Sequence, residues 1–489
     1  MKRFKKIPFF LFLLPLFFCL HGTVENYGYL QTDEVFWIGV VITACMAAFF
    51  LIIVAIIKNY IISALISFFI SVWYLFFGAL HDWIKSIPLL SFAKSYTVLL
   101  VILLLFTFLW ILFLKKKNAL HYKLVLYLNI LTSLYCGIDS FLLLKYYLTN
   151  TEKPTGNAVY FDRARVVKKP DVYYIVLDEY PGSKSLKDSF AFSNDAFLDY
   201  LSRRSFKVLP VFSNYDLTYF SLASMLNMNY IKSDFKNLEL TQRDLQKRGV
   251  EIKEATVFSI FRSMGYQMEN LSIFDIADKR SVSSENSFLL AHAVLLTDKL
   301  LHNRMKRDIG DKLGKIIPFW KNRNFYFHDV DNKYTEKMLL QKVREKTEKP
   351  RFVYAHFMMP HGPYYYDSFG NKNPYQKISS YTLWNDKGLF VSYLEYANKR
   401  MENMLDNITG KNPDAVIIVM GDHGYREYAD KRIFQPFRYD NLCAVRFPDN
   451  NHISFKDSWS NVNLFRYLFN CQFNQHMPYL SDSTVVLHY

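Results

Sequence analysis

Polar side chains that are able to bind a metal lie at the ends of three short apolar stretches of this sequence. The stretches are DVYYIVL, RFVYAHF and AVIIVMG. The polar side chains are Asp178, Glu179, His356, His361, Asp422 and His423. Carboxylate and imidazole groups suit a divalent ion such as zinc or manganese. If the stretches are neighbouring strands, these groups converge on one site, although a Gly-Asp-His-Gly turn by itself is equally typical of a capped structural loop.

A hydroxyl residue adds a candidate nucleophile to this set. The stretch SNYDLTYFSLASMLNM places Thr218 where a helix is predicted to begin. The N-terminal end of a helix favours an anionic substrate and an alkoxide. A metal bound to the same oxygen lowers the pKa of the hydroxyl further and makes it a nucleophile. The alternative is that Thr218 only caps the helix.

The pattern of apolar residues predicts the elements that position these groups. Strands are predicted at 171–178, 206–210, 266–273, 351–357 and 415–420, and helices at 193–204, 218–228, 254–264 and 393–408. Strands that alternate with helices indicate an α/β domain with a mostly parallel central sheet flanked by helices. Ligands bind at the carboxyl ends of the strands in such sheets.

The N-terminal part of the chain has a different composition. Five apolar stretches, each close to the length of a membrane-spanning helix, are predicted at 6–22, 36–57, 60–80, 95–114 and 123–146. We therefore expect a transmembrane helical bundle over residues 1–148, a linker over 149–170 and the α/β domain over 171–489. Asp139, within the fifth stretch, is either a functional intramembrane carboxylate or an ordinary interfacial residue.

The basic residues of the short loops predict the orientation of the bundle, because lysine and arginine favour the cytoplasmic side. They are Lys2, Arg3, Lys5 and Lys6 before the first stretch, Lys58 before the third, and Lys115, Lys116, Lys117 and Lys123 around the loop after the fourth. The N-terminus is then cytoplasmic, and a fifth crossing leaves the α/β domain outside the membrane.

Charge and cysteine content narrow the classes of function. The net charge of +15 is scattered and partly flanks the apolar stretches, without a nucleic-acid-binding motif. We therefore expect no nucleic-acid partner and a mild preference for anionic surfaces or substrates. Of the five cysteines, Cys443 and Cys471 lie in the α/β domain, either as a disulfide or as two buried thiols.

Taken in order, these motifs resemble the sulfatase-like branch of the alkaline phosphatase superfamily. The matching stretches are YYIVLDEY, SNYDLTYFSLASMLNM, FVYAHFMMPHGP, VIIVMGDHG and NVNLFRYLFN…MPYLSD. The layout, several membrane spans followed by an external domain, is similar to that of lipoteichoic acid synthases and phosphoethanolamine transferases. The resemblance covers about residues 168–489.

The resemblance implies roles for particular residues. The metal ligands would be Asp178, Thr218, Asp422 and His423, with Glu179 as a further candidate. Thr218 would also be the nucleophile. His356 and His361 would contact substrate oxygens or protonate the leaving group. Arg426 would contact the anionic substrate, unless it forms a surface salt bridge instead.

Departures from the sulfatase pattern are informative. Sulfatases mature a Cys or Ser within Cys/Ser-x-Pro-x-Arg, whereas the stretch that begins at Thr218 reads TYFSL. Threonine is the nucleophile of the phosphotransferase and phosphodiesterase members of the superfamily. The second metal-binding motif of two-metal members, Asp-x-x-x-His or Asp-x-x-Gly-His, does not occur between His361 and Asp422. We therefore expect one divalent metal, with zinc or manganese favoured over magnesium or calcium.

The resulting hypothesis is a metal-dependent phosphoryl-group transferase of the bacterial plasma membrane, with its catalytic domain periplasmic or extracellular. Its expected partners are the lipid bilayer and an anionic phospholipid or glycan substrate. One alternative is a phosphodiesterase or sulfatase-like hydrolase, in which water is the acceptor. The second alternative is a catalytically silent envelope-assembly protein with the same fold, and a transporter is disfavoured because the apolar stretches contain few charges.

Overall fold

The fold is taken from a computed structural model of the chain. The residues that it describes are 7–27, 30, 32–116, 120–149, 159–231, 240, 242–282, 294–316, 326–378, 383, 385–426, 435–449, 452 and 459–487. The chain forms two compact units. The first comprises Met1–Lys153 and Ser287–Leu313, and the second comprises Pro154–Asn286 and Gly314–Tyr489.

The helices and strands of the described residues are named in chain order. The helices are α1 (Phe10–Glu25), α2 (Thr32–Ile57), α3 (Tyr60–Ser86), α4 (Tyr96–Lys116), α5 (His121–Thr149), α6 (Ser183–Phe190), α7 (Asp195–Arg203), α8 (Thr218–Asn227), α9 (Gln242–Lys253), α10 (Thr256–Ser263), α11 (Val294–Thr297), α12 (Leu301–Ile316), α13 (Phe327–Arg344), α14 (Tyr375–Ile378), α15 (Lys387–Lys411) and α16 (Leu464–Gln472). The strands are β1 (Val172–Leu177), β2 (Lys207–Val208), β3 (Val211–Phe212), β4 (Gln267–Leu271), β5 (Arg351–Phe357), β6 (Val416–Gly421), β7 (Cys443–Arg446) and β8 (Trp459–Ser460).

Five apolar helices, α1 to α5, coincide with the five predicted apolar stretches. Four of them, α2 to α5, are long and apolar enough to cross a membrane, whereas α1 has 16 residues and is shorter. These helices identify the first unit as a membrane anchor, and the number of crossings stays a prediction. The basic residues at 2–6, Lys117 and linker residues 150–158 lie outside the described residues.

Polar side chains tie α5 to α1. The Asn129 side chain accepts a hydrogen bond from the Phe10 backbone N–H at 2.9 Å and donates one to the Ile7 carbonyl at 2.8 Å. Asp139 is buried, and its Oδ2 lies 3.3 Å from His21 Nδ1. Asp139 therefore has a partner on a neighbouring helix.

The segment Ser287–Leu313 joins the first unit, whereas the sequence predicted one uninterrupted domain over 171–489. The physical reason is its apolar and close contacts with the anchor helices. Leu296 and Leu300 pack into an apolar cluster with residues of α1 to α3. Gly78 of α3 donates its backbone N–H to the Lys299 carbonyl at 2.8 Å, and a side chain at Gly22 of α1 would collide with Leu296.

The second unit is built on a six-stranded sheet of order β2-β7-β6-β1-β5-β4. The four strands β4, β5, β1 and β6 are parallel, while β7 pairs antiparallel with both β6 and β2. All residues of β1, β5 and β6 are buried, because helices cover both faces of the sheet. One face packs on α8, α10 and α16, and the other on α7, α13 and α15.

This architecture confirms the predicted fold class, and most predicted elements lie within a few residues of their expected positions. The strand β7 was not predicted, because its alternating pattern is only four residues long. Cys443, in β7, and Cys471, in α16, are both buried free thiols. Burial raises the pKa of the Cys443 thiol to about 12, which keeps it protonated.

Candidate active site

The register of the parallel strands brings the predicted carboxylates together. Leu177 of β1 pairs with Gly421 of β6, so Asp178 and Asp422 are the residues that follow two aligned strand ends. The Glu179 backbone N–H donates to Asp422 Oδ1 at 2.9 Å. The other two oxygens, Asp178 Oδ1 and Asp422 Oδ2, are buried and have no hydrogen-bond partner among the described residues.

His423 completes a set of candidate metal ligands with these two carboxylates. Donor atoms of Asp178, Asp422 and His423 lie within 4.8 Å of one another. His423 Nδ1 lies 2.7 Å from the Gly424 carbonyl, which can only accept, so Nδ1 carries the proton and Nε2 keeps its lone pair. Nε2 lies 3.2 Å from Asp422 Oδ2. A carboxylate oxygen and an unprotonated imidazole nitrogen at that distance are a donor set that fits a divalent metal.

His356 contacts one of these carboxylates. It lies in β5 with Nε2 at 3.2 Å from Asp178 Oδ2 and Nδ1 at 3.3 Å from the Tyr354 hydroxyl. Burial raises the pKa of Asp178, but the hydrogen bond from His356 and the charges of His361 and His356 outweigh burial and hold that pKa well below its usual range. Asp178 is therefore ionised, and His356 orients it.

Thr218 faces the same ligands from the start of a helix. Leu217 occupies the N-cap position and makes no side-chain cap, so Thr218 is the first residue of α8 rather than its cap. Its hydroxyl lies 3.3 Å from His423 Nε2 and 3.5 Å from Asp178 Oδ2. The positive end of α8 is therefore directed at the carboxylate cluster, where it stabilises negative charge on the threonine oxygen.

His361 and Glu179 form a second pair beside the ligands. His361 Nδ1 lies 2.6 Å from the Gly362 carbonyl, so Nε2 is directed at Glu179 Oε2, which lies 3.9 Å away. Glu179 is fully buried, and its Oε1 accepts the Arg426 backbone N–H at 2.7 Å. The Arg426 guanidinium donates to the Asp216 carbonyl at 3.4 Å. This hydrogen bond joins Arg426 to the loop that leads to Thr218.

Three residues of the site were not predicted from the sequence. Ser221 of α8 donates its hydroxyl to the Asp422 carbonyl at 2.6 Å and thereby ties α8 to the turn that carries Asp422 and His423. Asn332 of α13 holds the loop after β5 through two hydrogen bonds to the backbone of Met358. His328, in the first turn of α13, has its ring centroid 6.2 Å from that of His361. No local motif marks these residues, because each reaches the site only through helix packing.

Comparison with known proteins identifies the family of the chain. The sequence model of the family described as Sulfatase matches residues 193–452, which is more than half of the chain. The chain belongs to the sulfatase family. Its membership confirms the predicted sulfatase-type domain of the alkaline phosphatase superfamily. A search of curated protein sequences gives no match.

Solved structures similar to this sulfatase-family chain include two enzymes and one periplasmic domain. They are the phosphonate monoester hydrolase of Agrobacterium radiobacter (13% identity, 65% of this chain and 76% of that chain, TM-score 0.41), the zinc complex of the C-terminal periplasmic domain of EcEptC from Escherichia coli (13%, 68% and 89%, TM-score 0.40), and the phosphonate monoester hydrolase SpPMH from Silicibacter pomeroyi (14%, 65% and 76%, TM-score 0.40).

Proposed function

We propose that this sulfatase-family protein is a metal-dependent phosphoryl-group transferase with Thr218 as its nucleophile. The observation that carries the proposal is the position of the Thr218 hydroxyl, 3.3 Å from His423 Nε2 and 3.5 Å from Asp178 Oδ2. The same cluster contains two buried carboxylate oxygens, Asp178 Oδ1 and Asp422 Oδ2, that have no hydrogen-bond partner among the described residues. A threonine in this place also lacks the Cys/Ser-x-Pro-x-Arg context that sulfate-ester hydrolysis uses.

One divalent ion is part of the proposal, with zinc or manganese preferred. Asp178, Asp422, His423 and the Thr218 hydroxyl would hold it, with Glu179 as a further candidate ligand. When bound, the ion lowers the pKa of the threonine hydroxyl and neutralises charge on the phosphoryl oxygens. The His356 hydrogen bond keeps Asp178 ionised and oriented, which is the usual role of a residue that supports a ligand.

The residues of the chain then carry out two displacements at one phosphorus atom. In the first, Thr218 Oγ1, after loss of its hydroxyl proton to solvent, forms a bond to phosphorus while the bond to the leaving oxygen breaks, and His361 Nε2 donates a proton to that oxygen. The second forms the bond from an acceptor hydroxyl to phosphorus and breaks the bond to Thr218 Oγ1. The N-terminal end of α8 stabilises the threonine oxygen in both steps.

The substrate and location that we propose follow from the membrane anchor. The protein is a multi-pass component of the bacterial plasma membrane, with its N-terminus cytoplasmic and its catalytic domain outside. Within the first unit, Ser287–Leu313 contacts Gly22 near the end of α1 and Asp82 near the end of α3. Alternating crossings put both helix ends on the same side as the end of α5. This supports an external domain that acts on an anionic phospholipid or glycan.

The nucleophile is tested with the full-length protein in detergent, a chromogenic phosphodiester and added zinc or manganese. We expect Thr218→Ala to reduce turnover by about 10³-fold or more, because no other hydroxyl replaces the attacking oxygen. Thr218→Ser is the matched control and should keep a measurable part of the activity. Unchanged turnover in Thr218→Ala would exclude the nucleophile assignment.

A hydrolase that uses water as acceptor would have the same site, so a separate measurement must distinguish group transfer from hydrolysis. Mass spectrometry of envelope lipids and glycans from a deletion strain identifies a transferred group if the protein is a transferase. Loss of a modified lipid or glycan supports transfer, and accumulation of an uncleaved diester supports hydrolysis. A protein without bound metal and without stabilisation by added metal would support a silent assembly protein.

A further inference from the structure

A histidine that the two displacements do not use lies beside His361. His328 is in the first turn of α13, and its ring centroid is 6.2 Å from that of His361, with the rings nearly perpendicular. Among the residues that the structure describes, no side chain or backbone group forms a hydrogen bond with the His328 ring. A partly exposed imidazole whose ring nitrogens form no hydrogen bond within the described residues has capacity to bind a ligand.

The position of His328 is fixed from both sides. Asn332, one turn further along α13, forms two hydrogen bonds to the backbone of Met358, at 2.7 and 3.2 Å. The Tyr366 hydroxyl donates to Asp329 Oδ2 at 3.1 Å. Met358 and Tyr366 flank His361 in the chain. The segment that carries His328 is therefore attached to the segment that carries His361 on both sides of the two rings.

We propose that His328 is a further catalytic residue, whose neutral imidazole accepts a hydrogen bond from the acceptor hydroxyl and takes its proton in the second displacement. This inference rests on the proposed transferase function. The two histidines then have different roles. His361 faces the Glu179 carboxylate at 3.9 Å, which favours a protonated ring that donates its proton. His328 has no such carboxylate contact within the described residues.

The surroundings keep His328 neutral. Burial is the main cause that lowers the pKa of His328 to about 3, and the charges of His361 and His356 lower it further, while Asp178 acts in the opposite direction. The N-terminal end of α13 also disfavours a cation in its first turn. An imidazolium has no lone pair, so only the neutral ring is able to accept a hydrogen bond from a hydroxyl.

A weak base is sufficient for this role. In a loose phosphoryl-transfer transition state the attacking oxygen becomes strongly acidic only after its bond to phosphorus has begun to form, so orientation matters more than basicity. The acceptor O–H bond breaks, its proton goes to the His328 ring, and the electron pair of the phosphorus–threonine bond returns to Thr218 Oγ1. His361 has given up one proton in the first displacement and His328 gains one in the second, so exchange with solvent restores both.

The test compares His328→Phe, His328→Gln and the control His452→Phe in the full-length protein. His452 is also a partly buried histidine, stacked on Phe447, and it plays no part in the proposed mechanism. Rapid mixing with bis(p-nitrophenyl) phosphate measures the burst of p-nitrophenol and the steady-state rate. Mass spectrometry of the quenched protein measures the phosphoryl adduct on the Thr218 peptide, with and without glycerol as acceptor.

We expect His328→Phe to keep the burst, to lower the steady-state rate by about 10- to 100-fold, and to accumulate the Thr218 adduct. Glycerol should accelerate turnover of the wild type and of His452→Phe but not of His328→Phe, and His328→Gln should recover part of the rate because its amide oxygen accepts a hydrogen bond. A wild-type steady-state rate in His328→Phe, or an equal loss of burst and steady state without adduct, would overturn the role of His328. A wild type that never forms the adduct would overturn the proposed function instead.

Discussion

Two groups of charged residues, one around the buried Arg304 of the first unit and one at the candidate site of the second, are balanced in different ways. In the first unit Arg304 is 5% exposed, and its guanidinium donates to Asp82 Oδ1 and to the Asp298 carbonyl, both at 2.9 Å, with Asp298 Oδ2 at 3.2 Å. In the second unit the donor atoms of Asp178, Asp422 and His423 lie within 4.8 Å of one another, and Asp178 Oδ1 and Asp422 Oδ2 have no hydrogen-bond partner among the described residues.

The difference is what we expect between a structural cluster and a candidate metal-binding one. The Arg304 group supplies its own cation, so its charges are satisfied as soon as the segment Ser287–Leu313 packs on the anchor helices. The Asp422 group is incomplete by itself, because two of its buried carboxylate oxygens have no hydrogen-bond partner among the described residues, which is costly unless a cation joins them. Such incompleteness costs stability in the absence of metal and is retained where it serves binding or catalysis. Substitution in the Asp422 group should therefore reduce activity and metal binding, whereas substitution in the Arg304 group should reduce stability.

The largest effect is expected for Asp422→Asn. Activity should fall by about 10³-fold or more and bound metal should be lost, since one ligand oxygen disappears. The metal-free variant should be at least as stable as metal-free wild type, because a buried charge is removed while an amide oxygen still accepts the Glu179 N–H. Elemental analysis and thermal unfolding with and without a chelator measure both. A variant that binds metal normally would contradict the ligand assignment.

Arg304→Met should instead affect stability without affecting metal content. Removing the guanidinium leaves Asp82 and Asp298 without their shared cation, and partial exposure of both limits the expected loss to about 2–3 kcal/mol. Unfolding of the full-length protein in detergent measures it, with elemental analysis in parallel. The double variant Arg304→Met, Asp82→Asn is the control and should recover part of the loss. Loss of metal in Arg304→Met would remove the contrast between the two groups.

A smaller, pH-dependent effect is expected for His328. The folded pKa of His328, about 3, lies below the ordinary value of 6.5. At pH values above 6.5 the His328 ring is mostly neutral in both the folded and the unfolded chain, so its burial does not reduce the stability there. As the pH falls from 6.5 towards 3, the unfolded chain binds a proton that the folded chain does not, and stability decreases.

The metal-free wild type should therefore lose more stability between pH 7 and pH 5 than metal-free His328→Phe, by an amount on the order of 1 kcal/mol. Urea unfolding at both pH values gives the difference, and His452→Phe serves as the reference for replacement of a histidine. Equal pH dependence in wild type and His328→Phe would mean that the folded protein does not hold His328 neutral.

The smallest effect is expected for an exposed ion pair. Arg204 Nε lies 2.9 Å from Asp406 Oδ1 at the surface, where water competes for both groups. Arg204→Met should lower the free energy of unfolding by less than Arg304→Met does and leave activity unchanged. High salt should reduce even this difference. A loss as large as that of Arg304→Met would show that burial is not what distinguishes the ion pairs.

The sequence by itself determined the local features of this protein. The apolar runs of β1, β5 and β6 predicted three strands, and the residues after two of them, Asp178 and Asp422, were recognised as candidate ligands. The five apolar helices of the first unit and the helix that begins at Thr218 were located in the same way. These features depend on hydrophobic spacing within about 20 residues, which is directly readable from the chain.

Only the tertiary structure decided which of these features meet. Sheet order and register place Glu179 N and Asp422 Oδ1 in contact across 243 residues of sequence, and helix packing alone brings His328 to His361. The transfer of Ser287–Leu313 to the first unit depends on an Arg304–Asp82 contact over 222 residues. Hydrophobic spacing specifies which face of an element is buried, but it does not specify the partner that covers it. Long-range pairing is therefore decided by how the packed elements fit together.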